Sequence, residues 1–301
     1  MGRMLSFSQP AVLALAVLAT PQAVGAEGFP NDLAAREDAV ALEPLAPWNL
    51  HFGENKCRLV RYFGTQDEPH MAMLEQAAPR AGFGLTLAGP EIRSFHRAPS
   101  IEVGMERDEP LQRRERFGSG DVEQVGKALI FPSYYIGPAR AEGAPMAAGI
   151  DVKEAGTIDR IVLERRGRVL SFETGNMGQP IEALNICTSD LLNVWGLDPE
   201  QHKSYFPARW LNERAVVGRI QASYPREALN RGEQAVFRLR VIIEEDGSVS
   251  DCHLENSTEV DRLDSPACRS MMGAKFEPAR TADGEAMRSF YATTVSYSIG
   301  S

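Results

Sequence analysis

Residues 235–256 read AVFRLRVIIEEDGSVSDCHLEN, and this stretch decides the fold of the C-terminal part of the chain. Ala235, Phe237, Leu239, Val241 and Ile243 alternate with Val236, Arg238, Arg240 and Ile242. That is the two-residue period of a strand, which puts one set of side chains on each face. Asp246-Gly247 follows, a two-residue hairpin signal whose turn positions both take φ > 0. Residues 249–256 then read as the return strand, with Cys252 and Leu254 on one face.

Working outward, Pro225 sits where a short helix begins, and Gly232 sits at its exit. Downstream, Asp264 is placed to cap a helix whose inner face is Ala267, Cys268, Met271 and Met272. Phe276-Glu277-Pro278-Ala279-Arg280 stops that helix, Asp283-Gly284 turns the chain, and residues 289–299 form a last strand. The order helix, strand, strand, helix, strand predicts an α+β unit: a three-stranded antiparallel sheet with helices on one face.

These residues together resemble the TonB C-terminal domain family. The motifs that carry the resemblance are Tyr224-Pro225 with Ala228, Gly232, and the strand ending at Asp246-Gly247. They continue through Asn256-Ser257-Thr258, Leu263-Asp264, and Phe276-x-Pro278-Ala279 before Asp283-Gly284. No single motif is specific, whereas their order and spacing over the last 80 or so residues are. Ala235 stands where the family has a second glycine, and Glu259 where a glycine follows the paired serines.

The resemblance implies a periplasmic role. Family members couple the inner-membrane proton-motive force to outer-membrane transporters, and grip a short extended segment of the transporter by adding it as a strand to their sheet. An unpaired strand edge suits that mode, because main-chain N–H and C=O groups give affinity with little sequence demand. The candidate edge here is the last strand, with Tyr291, Thr293, Val295, Tyr297 and Ile299 along it. The expected partner is an outer-membrane TonB-dependent transporter or another envelope protein, and exposed edges also permit a homodimer. The expected function is therefore non-enzymatic binding, with no cofactor. The competing reading makes the N-terminal domain a hydrolase or ligand-binding module with the tail as its docking domain. A further alternative is a membrane-anchored energy transducer.

Compartment is read from the N-terminus. Residues 1–26 read as a cleaved secretory signal: Arg3, an apolar run from Ala11 to Ala19, Pro21, then Val24-Gly25-Ala26 before Glu27. A ten-residue helix between Pro10 and Pro21 spans about 15 Å, roughly half a bilayer core. An uncleaved inner-membrane anchor is the alternative. Residues 27–47 read as an acidic, extended leader with Pro30, Pro44 and Pro47.

Residues 48–200 read as a β-rich domain ending in a helix, of unassigned role. Phe83, Leu85 and Leu87, and then Ile101, Val103 and Met105, alternate with small or polar residues. Arg165-Arg166-Gly167 lies between two apolar runs and predicts a hairpin. Residues 108–115 and the segment Phe117-Gly118-Ser119-Gly120-Asp121 read as loops. From Pro180 to Gly196, apolar residues at Ile181, Leu184, Cys187, Leu191, Leu192 and Trp195 mark one helical face. Residues 201–222 read as a connector that packs, and residues 223–301 as the C-terminal unit.

The remaining chemistry is sparse. A length of 301 residues fits two domains, and 43% hydrophobic with 24% charged residues argues against disorder. A net charge of −9 argues against broad nucleic-acid binding. Four cysteines allow three connectivities. Cys252 on the inward strand face and Cys268 on the helix above it oppose one another, which predicts that bridge. Cys57 and Cys187 then pair by elimination. Redox or metal roles are the rivals, but there is no Cys-x-x-Cys. His51, His70, His96, His202 and His253 lack metal-type spacing. Ser119 lacks the Gly-x-Ser-x-Gly frame of a nucleophile.

Overall fold

A computed structural model describes residues 39–105, 111–137, 143–147, 149–223, 226, 230, 235–256 and 264–297. The signal and most of the leader, Tyr224, Pro225, Ala228, Gly232, Leu263 and Ile299 lie outside the described residues.

In chain order the first part comprises β1 (Val40–Leu42), β2 (Asn49–Phe52), β3 (Cys57–Gly64), β4 (Pro69–Gln76), β5 (Gly82–Ala88), β6 (Ile101–Gly104), β7 (Gln112–Arg114), β8 (Gly118–Val122), β9 (Gly126–Tyr135), β10 (Met146–Ala147), α1 (Val152–Ala155), β11 (Ile161–Arg165), β12 (Arg168–Phe172) and α2 (Gly178–Val194). One six-stranded antiparallel sheet runs β2-β3-β4-β5-β9-β8, and a five-stranded sheet runs β1-β12-β11-β6-β7. Both sheets bury apolar faces in one core. Leu59, Phe63, Leu74, Phe83, Leu85 and Phe131 enter from the first, and Ile101, Val103, Leu163 and Phe172 from the second. Ile181, Leu184, Leu191 and Leu192 of α2 close the same core.

The Cys57–Cys187 disulfide ties β3 to α2 across a sequence separation of 130, with the Cα atoms 6.1 Å apart. In the chain-entropy picture, closing so long a loop stabilises by about 4–5 kcal/mol. The helix starts two residues before Pro180, because the Asn176 side chain accepts a hydrogen bond from the Gly178 N–H at 2.9 Å. Gly196, at φ +68°, lies just past its end.

Several sequence expectations change here. Part of the leader is structured: β1 pairs in parallel with β12, and Leu42 is buried. Two segments read as loops are edge strands. β7 pairs with β6, and β8 pairs with β9. Ser119 is not poised as a nucleophile, as its Oγ donates to the His96 carbonyl at 3.0 Å. The two-residue turn with φ > 0 at both positions occurs at Arg166 (+52°) and Gly167 (+84°), where Arg165 pairs with Arg168.

The second part comprises β13 (Ser204–Phe206), β14 (Arg209–Trp210), α3 (Glu213–Ala222), β15 (Ala235–Ile243), β16 (Val249–Asn256), α4 (Asp264–Met271), β17 (Phe276–Glu277), β18 (Ala279–Thr281), β19 (Ala286–Met287) and β20 (Ser289–Tyr297). The chain is β-rich with few helices, an α+β protein. β15 is the centre of an antiparallel sheet ordered β16-β15-β20. Its Leu239, Val241 and Ile243 face a second core with Val216 and Ile220 of α3 and Ala267 and Met271 of α4. The connector thus belongs to this core, since Tyr205 and Ala208 are buried in it too. Met272, expected inside, is exposed: the helix ends at Met271, which takes the inward position.

Candidate partner-binding edge

The Asp246-Gly247 turn locks the sheet to the Phe276 segment. Only Gly247 has positive φ (+81°), so the turn is not the two-position type expected. The Gly247 N–H donates to the Glu244 carbonyl at 2.9 Å, and a register shift at Ile242/Ile243 absorbs the extra residue. The Asp246 carboxylate accepts from the Ser248 N–H at 2.9 Å, and hydrogen bonding from the Ser248 hydroxyl, followed by that N–H, lowers its pKa. The Phe276 N–H donates to the Gly247 carbonyl at 2.9 Å. This is the physical content of two motifs that lie 29 residues apart.

Phe276 in turn builds an aromatic cluster. Its ring stacks on Trp210 at 5.7 Å and meets Tyr291 at 5.3 Å, while Trp210 meets Tyr291 edge-on at 5.5 Å. β14 and β17 pair Trp210 with Phe276 directly. Tyr291 is half-buried, and burial followed by the charge of Glu213 pushes its phenol pKa up. Its ring therefore anchors β20 from the helix side rather than standing at the sheet edge. Ala279 is fully buried, and Pro278 separates β17 from β18. Asp264 opens α4. Below it the Cys252–Cys268 disulfide joins β16 to the helix, with the Cα atoms 5.6 Å apart.

β20 runs for nine residues in unbroken register with β15, from Ser289↔Ile243 to Tyr297↔Ala235. Thr293 pairs with Leu239, and Val295 with Phe237. Among the described residues no strand pairs with its other side, so β20 is the sheet's edge. Its first turn of chain is covered. Ser289 is buried, the Phe290 ring lies 5.4 Å from Trp195 and 5.9 Å from His202, and Arg288 donates to the Gly196 carbonyl at 2.8 Å. Beyond it Ala292 is exposed.

The sheet's other face meets the N-terminal unit. Arg240 lies over the Trp195 ring at 3.9 Å, Ile242 joins the first core, and Arg238 pairs with Glu75 of β4. Glu75 also takes Arg58 at 2.8 Å and Lys56 at 3.6 Å. Burial works to raise its pKa, but the Arg58 hydrogen bond and the charges of Arg238 and Lys56 outweigh burial and lower it. Both faces of the three-stranded sheet are thus packed, and its hydrogen-bonding capacity is left at an edge.

Residues 220–299 match the family model of the Gram-negative bacterial TonB protein C-terminal. The match covers just over a quarter of the chain. No curated protein matches the sequence. The matched segment takes in the turn, Phe276 and Tyr291 of the aromatic cluster and the β20 edge, and it begins inside α3. The Trp210 anchor lies upstream of it, as do the elements of the N-terminal unit. Arg238, Arg240 and Glu75 escaped the sequence reading as contributors to this site. The alternation of β15 shows that Arg238 and Arg240 share a face, but not that a second domain covers it. No helix among the described residues is long and apolar enough to cross a membrane.

Proposed function

We propose that this chain is a non-enzymatic envelope protein whose C-terminal sheet binds an extended segment of an outer-membrane or other envelope partner by strand addition at β20. One observation carries the reading. The sheet is packed on both faces, while β20 pairs on one side only among the described residues. An extended peptide laid along residues 291–297 gains main-chain hydrogen bonds there. β16 is the less suitable edge, because Cys252 fastens it to α4.

The TonB C-terminal match supports a partner in the outer membrane, and a link to TonB-dependent transport is part of the same reading. The two disulfides support an oxidising compartment such as the periplasm.

Proline at adjacent positions tests the edge. Neighbouring N–H groups of a strand point to opposite sides, so Ala292→Pro and Thr293→Pro remove one donor to β15 and one donor to the outside. The variant that spares the β15 ladder is expected to stay folded and lose the envelope partner that the parent chain co-purifies. Retention of that partner by the folded variant would overturn the reading.

A further inference from the structure

Successive residues of a strand point to opposite faces. On β20, Tyr291 faces Trp210 and Phe276, so Phe290 and Ala292 face the N-terminal unit. Phe290 is packed there on Trp195. Ala292, two residues on, is exposed. It lines a cavity of about 80 Å3 together with Asn55, Ala77, Ala78 and Arg80 of the N-terminal unit. The cavity follows one cross-strand row of the sheet, since His253 and Ala292 are the two register partners of Arg240. That row ends at the β20 edge, with Ala292 as its last member among the described residues.

A strand added to β20 extends this row by one residue. Directly opposed residues of paired strands share a face, with Cβ atoms about 4.5–5.5 Å apart. The residue opposite Ala292 therefore points its side chain toward the N-terminal unit, beside the cavity. The wall it meets is built in advance. Gln76 is fully buried, and its Nε2 donates to the Arg80 carbonyl at 2.6 Å and to the Gly82 carbonyl at 2.9 Å, which pins the β4–β5 connection from within. Ala78 of that connection is buried too. A wall fixed before binding needs no ordering when the ligand arrives.

Volume and charge decide which side chain fits. The cavity is about half the size of one that takes a benzene ring, so it admits a compact side chain and not an aromatic one. A carboxylate gains little, because Arg238 is already engaged by Glu75 and Arg80 is exposed. A lysine or arginine would be set beside both guanidinium groups. What remains is a small uncharged residue.

We propose that the β4–β5 connection of the N-terminal unit forms a side-chain subsite of the β20 edge, restricting the partner residue opposite Ala292 to alanine, serine, threonine or valine. The inference rests on strand addition at β20 and gives the N-terminal unit a part in it. Main-chain bonds along β20 supply affinity, and the cavity supplies sequence preference.

The test is selection of random peptides displayed on phage against the immobilised full disulfide-bonded chain. Affinities of the selected peptides are then measured by fluorescence anisotropy for the parent, Ala77→Leu and Ala292→Val. The selected peptides are expected to share one position held to those four residue types. Ala77→Leu fills the cavity from the N-terminal unit without altering β20, and Ala292→Val fills it from the strand. Each is expected to weaken the selected peptides by about fivefold or more, the effect of overpacking. Peptides with glycine at the restricted position are expected to bind parent and variants alike. Near-ultraviolet circular dichroism checks that each variant is folded. No restricted position, a charged or aromatic residue preferred there, or unchanged affinity in the folded variants would overturn the subsite and leave strand addition standing. Failure of strand addition reads differently. In that case no peptide is retained, or the retained ones bind the proline variant that spares the β15 ladder as tightly as the parent, and both readings fall.

Discussion

The guanidinium of Arg240 on β15 lies 3.9 Å from the centre of the Trp195 ring, just past the end of α2. It is a cation–π contact between the two units, continued by Trp195 onto Phe290. The planar stack is specific to arginine, so Arg240→Lys keeps the charge and loses the geometry. A loss of about 0.5–1 kcal/mol in chemical denaturation is expected, with the C-terminal sheet less protected at its junction face.

Gly247 is the position least open to change. A Cβ there would stand 1.9 Å from the Phe276 carbonyl oxygen, and its φ of +81° already disfavours any side chain. Gly247→Ala is expected to cost about 2 kcal/mol or more, because it parts the turn from the Phe276 strand. Gly284, also at positive φ but with open space around it, is the control. There Gly→Ala should cost about 1 kcal/mol from the backbone alone. Equal costs at the two sites would show that the close approach does not matter.

His202 makes stability depend on pH. It is fully buried, its Nδ1–H donates to the Asp198 carbonyl at 2.7 Å, and it is flanked by Tyr205 and Phe290 at 4.9 and 5.9 Å. Burial lowers its pKa from 6.5, so the folded chain holds it neutral. The unfolded chain binds the proton first as pH falls. Stability is therefore complete above about pH 6.5 and declines below it, until the folded-state pKa is reached. Unfolding free energy measured between pH 7.5 and 5 should fall, and His202→Phe should flatten that slope. A slope unchanged in the variant would assign it to other groups.

The disulfides should differ in weight. Removing Cys252–Cys268 as a pair of alanines opens a short loop and is expected to cost about 3 kcal/mol. Removing Cys57–Cys187 opens the 130-residue separation and should cost about 4–5 kcal/mol. Denaturation of the two double variants compares them directly. A larger loss at Cys252–Cys268 would contradict the loop-length argument.

Local periodicity made much of this legible. The apolar face from Ile181 to Leu192 marks α2, and the alternation of residues 235–243 marks β15, because each pattern records one buried face. The Cys252–Cys268 bridge followed from the opposed faces of a strand and a helix, and Cys57–Cys187 followed by elimination. β7 and β8 were not legible, since charge and glycine dominate edge strands whose only constraint is a partner's backbone. β13 and β14 were hidden for a related reason. They are two or three residues long, and the register of β17 and β18 defines them rather than any pattern of their own. The junction was least legible of all. Glu75 and Arg238 lie 163 positions apart, and no spacing rule connects them.

The most direct measurement is residue-resolved amide exchange along β20 in the free chain. An edge strand protects only the N–H groups aimed at β15, and neighbouring amides aim to opposite sides. The account predicts alternation over residues 291–297: protected and fast-exchanging amides in turn, with the fast set slowed when a partner segment binds. Uniform protection of that stretch in the free chain would mean the edge is already covered, and would contradict strand addition at β20.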